Sequence, residues 1–186
     1  MSGSLEERVK RAVSEKIEIV PYNTEWPALF KEEKERLLKL FPVDLSGLIV
    51  HFGSTAVPGL SAKPVIDMLV EIFSFEKTKK HIVPILEKNG YDYFWRPILG
   101  DGPPFYPWFI RRNSEGVRTH HIHMAEPGFP LWDQVGFKDI LIAHPETAKA
   151  YETLKISLAA QFPNDRAAYT HGKSVFIKNI MDKIRQ

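Results

Sequence analysis

The 186-residue sequence contains no cysteine. A disulfide framework and a thiolate metal site are therefore both excluded. A cytoplasmic protein commonly has this composition, and a cytoplasmic location is the expectation. Long apolar runs are also missing. Nothing approaches the ~20 consecutive apolar residues of a membrane helix. The N-terminal "MSGSLEERVKRAVSEK" is charged where a signal peptide would carry an apolar core. No membrane partner is expected. Charge of one sign is scarce: 25 Lys+Arg against 23 Asp+Glu leave +2, with seven histidines uncounted. So mild a balance gives no electrostatic case for a nucleic-acid partner. The eleven glycines never fall into G-x-G-x-x-G or G-x-x-x-x-G-K spacing, which sets aside dinucleotide and P-loop sites.

A hydrophobic content of 44% with 26% charged residues is enough for a core. The length suits one domain, residues 1–186. Leu5, Val9 and Val13 are spaced as an amphipathic helix over Leu5 to Lys16. Asn23 or Thr24 is placed to cap a second helix through Phe41, with a stripe of Trp26, Leu29, Phe30, Leu37 and Leu38 that Glu33 interrupts. "SGLIVHFGST", "VIDMLVEI", "YDYFWR", "FYPWFIRR" and "VRTHHIHMA" read as strands, the last two forming a hairpin around "NSEG". Pro107 predicts that its strand lies at an edge or is bulged there. A helix over Phe75 to Asn89 should kink at Pro84 and stop at Gly90, and "PILGDGPP" reads as a loop. Helices follow over Leu131 to Ala143, Pro145 to Phe162 and on to Ile184. Strands gathered centrally between helices predict an α/β (α+β) domain, with one mixed sheet flanked by helices and a helical C-terminal part.

The stretch "HFGSTAVPGLSAKPVIDML", His51 to Leu69, carries the chemistry. Alternation puts Asp67, Leu69 and Glu71 on one strand face and the apolar Ile66, Met68, Val70 and Ile72 on the other. A carboxylate among such residues needs a cation, a metal or several donors. Lys63, Arg111 and Arg118 are salt-bridge candidates. His121 and His123 offer a metal alternative: they alternate, so they share a face ~6.6 Å apart. With Asp67 they would make a two-histidine, one-carboxylate site suited to Zn²⁺, Mn²⁺, Fe²⁺ or Ni²⁺ more than to Mg²⁺. His51 is a further candidate ligand. Lys63 and Arg118 could reach a phosphate, while Gly172 beside Lys173 reads as a packing glycine. The aromatic group from Tyr91 to Phe109 reads as core and sheet edge.

Phe52-Gly53-Ser54, twelve residues, then Asp67-Met68-Leu69-Val70 resembles the signature of the nucleotidyltransferase superfamily. More closely, the chain is similar to the GrpB-like family assigned to that fold. The similarity runs through "VPYNTEWPALFKEEKERL", "HFGSTAVPGLSAKPVIDMLVEI", "RTHHIHM", "FKDILIAHPETAKAYETLK" and "YTHGKSVFI". It implies a nucleotide or other phosphorylated small molecule held at Gly53, Ser54 and Thr55, with Lys173 of "YTHGKSVFI" as a further phosphate-binding candidate, near a divalent metal (Mg²⁺, Mn²⁺ or a transition metal such as Zn²⁺). Asp67 would position that metal for nucleotidyl or phosphoryl transfer. The chain departs from the superfamily pattern at Leu69, where a second acid is expected. Glu71 is no simple replacement, being ~13 Å along the strand from Asp67. An acid restored at 69 is expected to cost ~1–3 kcal/mol. Two alternatives follow: a degenerate, non-catalytic ligand-binding module, and a metal-dependent hydrolase whose histidines activate water. Substrate, acceptor and oligomeric state have no signature in the sequence.

Overall fold

The computed structural model describes residues 3–98 and 102–184. Residues 99–101 of the "PILGDGPP" loop and the first two residues of the N-terminal segment lie outside the described residues. Five strands form one sheet: β1 (Ser46–Phe52), β2 (Ile66–Ile72), β3 (Asp92–Pro97), β4 (Phe105–Arg112) and β5 (Arg118–Ala125). Their spatial order is β1-β2-β5-β4-β3. β2 and β5 run parallel and every other neighbouring pair is antiparallel. Among the described residues six helices accompany the sheet: α1 (Leu5–Ser14), α2 (Trp26–Leu40), α3 (residues 75–88), α4 (Asp133–Ala143), α5 (Pro145–Gln161) and α6 (Arg166–Ile184).

Strand alternation divides the core in two. Ile66, Met68, Val70 and Ile72 join Phe109, Ile122 and Met124 beneath α2 and α3, where Trp26, Leu37, Ile82 and Leu86 meet them. On the opposite face Phe52, Leu69, Phe94, Tyr106, Trp108 and Ile110 pack together, with Ala12 of α1 and Leu131. A third cluster ties the loop after β1 to the C-terminal helices through Val57, Leu60, Phe137, Leu141 and Tyr151. The functional side chains lie where the second face meets this third cluster.

Several sequence expectations need correction. β4 is an interior strand, flanked by β3 and β5. Pro107 is tolerated because it pairs with Trp95 of β3, while pairing with β5 begins one residue later, at Trp108. The irregularity in β4 falls at Arg111/Arg112 instead. Leu5, Val9 and Val13 of α1 face outward; α1 is held through Ala12 and through ion pairs of Arg8 with Glu87 and Arg11 with Asp92. Glu33 does not interrupt the buried stripe of α2 but belongs to it: fully buried, it accepts from the Tyr91 hydroxyl and from Arg111. That pairing satisfies the charge in the low-dielectric interior. In α3 the five residues Thr78–Ile82 form a widened π turn just before Pro84, where the chain loses an N–H donor.

Candidate functional site

β1 ends at Gly53, whose backbone (φ 71°, ψ −172°) lies in a region that is essentially glycine's alone. Phe52 is the register partner of Asp67, so the turn at Gly53 passes directly beside that carboxylate. A Cβ at position 53 would come 2.7 Å from Asp67 Oδ2. Glycine is required here by conformation and by proximity together.

On the other side of Asp67 runs β5, in parallel register: Asp67 faces His121 and Leu69 faces His123. Asp67 Oδ1 accepts from His121 Nδ1 at 2.8 Å and lies 3.8 Å from His123 Nε2. One ligand atom from each of these three residues lies within 4.8 Å of the others, the spacing a bound cation needs. Arg118 Nη1 is 3.0 Å from His121 Nε2. A guanidinium only donates, so Nε2 is the acceptor and the ring proton sits on Nδ1, directed at Asp67. Tyr106 Oη is 3.0 Å from His123 Nδ1. Among the described residues His123 Nε2, Trp108 Nε1 and Arg118 Nε are buried without a hydrogen-bond partner, and His123 Nε2 is the one that lies 3.8 Å from Asp67 Oδ1.

The electrostatics agree with that geometry. Burial pushes His121 down to about 3 despite the opposing Asp67, and it lowers His123 as well. Both rings are therefore neutral near pH 7, the form that ligates metals. Burial acts against the Asp67 charge, but the hydrogen bond from His121 and the nearby His123 ring outweigh it and hold the carboxyl well below its usual range. The side chain keeps 28% of its surface open.

A basic wall stands opposite. Tyr169 of α6 lies between two lysines, with Lys63 Nζ 5.3 Å and Lys173 Nζ 4.4 Å from its ring centre. Burial, then the proximity of Lys173, brings Lys63 down to about 7. Burial brings Lys173 to about 8. Lys155 of α5 is also buried, and burial and then Lys173 bring it to about 7. It donates to the Ser61 carbonyl, while Glu152 accepts from the Ser61 N–H at 2.8 Å. The loop between the Gly-Ser turn and β2 is thereby clamped to α5. α5 and α6 approach closely at Gly172, where a Cβ would meet Leu158 at 2.5 Å. That packing brings Lys173 to the site, so the glycine has a structural purpose.

The structure brings Gly53, Ser54, Lys63, Asp67, Arg118, His121, His123 and Lys173 to one region, but uses some of them differently from expectation. The Thr55 hydroxyl is buried and 2.9 Å from His51 Nε2, so it is committed inward. His51 lies on the opposite sheet face, stacked on Phe30, and is not a ligand beside Asp67. Ser54 faces the phenol of Tyr151. Arg111 belongs to Glu33, and among the described residues neither Lys63 nor Arg118 forms a direct ion pair with Asp67. Leu69 is fully buried in the apolar cluster, so the position of the expected second acid is sealed. Sequence reasoning missed Glu15, Tyr106, Lys155, Arg166 and Tyr169. Only Tyr169 had a local signal, its four-residue helical spacing to Lys173.

Residues 16–183 match the model of the GrpB protein family. The chain belongs to the GrpB family. It is 38% identical over 172 residues to the UPF0157 protein YqkA of Bacillus subtilis, covering 92% of this chain but only 48% of YqkA; it thus spans about half of that relative's length. It is 33% identical over 167 residues to the glutamate-rich protein GrpB of Alkalihalophilus pseudofirmus, covering 89% and 94% of the two chains. The crystal structure of the conserved protein GrpB from Enterococcus faecalis superposes with a TM-score of 0.76 at 29% identity, over 89% of this chain and 96% of that one. The Cid1 poly(U) polymerase with bound Mg 3'-dATP superposes at 0.51 and 11% identity, over 89% of this chain and 51% of that one. The fold of this GrpB chain is thus nucleotidyltransferase-like.

Proposed function

We propose that this GrpB protein binds a nucleotide or another phosphorylated small molecule between the Gly53–Ser54 turn and the Lys63/Lys173 wall, beside a divalent transition metal held by Asp67, His121 and His123. The observation that carries this reading is the unpartnered His123 Nε2, buried and facing an Asp67 that His121 also meets. A buried polar atom left open is costly unless something occupies the space in front of it. The donor set of two imidazoles and one carboxylate fits Zn²⁺ or Mn²⁺. It does not fit the superfamily's pair of Mg²⁺ ions, which needs a second carboxylate where Leu69 is buried.

When bound, the metal would supply a Lewis acid for a phosphoryl oxygen. His121 would ligate through Nδ1, which must first give up the proton it shares with Asp67. That proton shifts to Nε2, and Arg118 has to turn away from it, since two donors cannot face each other. Lys63 and Lys173 would hold their protons more firmly as an anion approaches, because burial lowers both amines and the neighbouring Lys173 lowers Lys63 further. The reaction class consistent with this arrangement is nucleotidyl or phosphoryl transfer. The sealed Leu69 position favours a second reading, in which the same site binds its ligand without turnover.

The test is titration calorimetry with Zn²⁺ and Mn²⁺ on wild type, Asp67→Asn and His123→Ala. Each substitution is expected to weaken binding by at least about tenfold. Tight binding that survives both substitutions would refute the site. Nucleotide turnover by the metal-loaded protein separates the transfer reading from the binding-only one.

A further inference from the structure

Helix α1 crosses the sheet face that carries His121 and His123, burying Ala12 against the cluster that contains Leu69 and Trp108. The Ala12 carbonyl accepts from Arg118 Nη2 at 2.8 Å. Just beyond the helix, the Glu15 carboxylate sits among three guanidinium groups. It pairs with Arg112 Nη1, lies 2.8 Å from Arg118 Nε and is 3.2 Å from Arg166 Nη2. Arg166 Nε also donates to the Glu15 carbonyl at 3.0 Å. Asp92, the other acid here, is shared by Arg11 and Arg112. Two carboxylates therefore answer four guanidiniums. Arg118 Nε and Arg112 Nη2 are buried with no hydrogen-bond partner, since the 2.8 Å ion pair of Arg118 Nε is poorly aligned for one. A cleft of about 320 Å³ opens at this point, lined by the cationic Lys16, Lys63, Arg118 and Arg166 and by the carboxylates Glu15, Glu18 and Glu115.

We propose that this cleft is a second anion-binding site, for the carboxylate or phosphate of a small ligand, and that Glu15 occupies it in cis as a tethered stand-in. The three guanidiniums around Glu15 carry more positive charge than that one carboxylate neutralises, and Arg118, which lines the cleft, has at Nε a donor that a larger oxyanion would satisfy. Both α1 and Glu15 precede residues 16–183, the part matched by the family model. Arg118 links the cleft to His121, so an anion seated here lies next to the site described above, in the position of a second substrate. The inference needs neither a bound metal nor a nucleotide.

The experiment is calorimetric titration with inorganic phosphate and, separately, with succinate. The proteins are wild type, Glu15→Gln, Glu15→Gln/Arg166→Gln and Glu15→Gln/Lys173→Gln. Glu15→Gln is expected to bind one of the two anions about tenfold more tightly than wild type, the preferred anion identifying the ligand group. Adding Arg166→Gln should remove the gain. Adding Lys173→Gln should leave it, which separates this cleft from the proposed nucleotide site. In wild type, a saturating concentration of the preferred anion should speed tryptic cleavage after Lys10, Arg11 and Lys16 as Glu15 gives way. No gain for either anion in Glu15→Gln, a gain that survives Arg166→Gln or vanishes with Lys173→Gln, or unchanged cleavage in saturated wild type would each overturn the proposal.

Discussion

Leu69→Asp would restore the acid–x–acid spacing that the nucleotidyltransferase signature carries, and the structure makes it a severe test. Leu69 has no exposed surface and packs with Phe52, Trp108 and Ala12. Removing the leucine side chain alone costs about 2–5 kcal/mol, by analogy with other buried leucines. A carboxylate in its place must either stay charged in an apolar cluster or take up a proton. Each unit by which its pKa must rise costs about 1.4 kcal/mol at neutral pH. A rise of two to three units adds about 3–4 kcal/mol, so the total exceeds about 5 kcal/mol. The sequence alone suggested ~1–3 kcal/mol for a carboxylate where an apolar side chain packs; the complete burial of Leu69 raises that figure. Whole domains are stable by only about 5–15 kcal/mol. Leu69→Asp should therefore be largely unfolded, or melt more than about 10 °C below wild type. Urea denaturation at pH 7 of wild type, Leu69→Ala and Leu69→Asp, with and without Mg²⁺, measures this. If Leu69→Asp costs no more than Leu69→Ala, and Mg²⁺ raises its midpoint, the carboxylate has reached a cation and the reasoning is wrong.

Two further outcomes are expected. His51 and His120 are lowered to about 4, His121 to about 3, and His123 is lowered too, burial being the main cause in each. All four take up protons on unfolding, so stability is fully present above pH 6.5 and falls as the pH drops toward 4. The slope approaches about 1.4 kcal/mol per pH unit for each histidine; a flat denaturation midpoint between pH 6.5 and 5 would contradict it. Gly53→Ala should cost about 1–3 kcal/mol through its backbone conformation alone. It should also displace the Asp67 carboxylate, seen as a shifted His121 Nδ1–H proton resonance; an unchanged resonance would mean that the turn does not press on Asp67.

Much of the local structure was legible in the sequence because its causes are local. Alternation along "VIDMLVEI" and "RTHHIHM" sorts core from site residues, since successive side chains on a strand must point to opposite faces. The hairpin around "NSEG" and the helix opening at Pro145 follow from turn and N1 chemistry. The odd carboxylate Asp67 was visible as a residue in need of a partner. Its partner was not fixed locally. Lys63, Arg111, Arg118 and the two histidines were all compatible with the chain, and only the parallel register of β2 on β5 placed His121 against it. The same long-range packing sent Arg111 to Glu33, turned His51 to the α2 side and buried Leu69. It also reversed the reading of α1: its regular apolar stripe faces solvent, while Glu87 of α3 and Asp92 of β3 pair with its arginines and Arg118 of β5 donates to its Ala12 carbonyl. Periodicity is set by bonds between near neighbours in the chain. Which charge meets which is settled only when distant segments compete to bury their apolar faces, and no stretch of sequence carries that competition by itself.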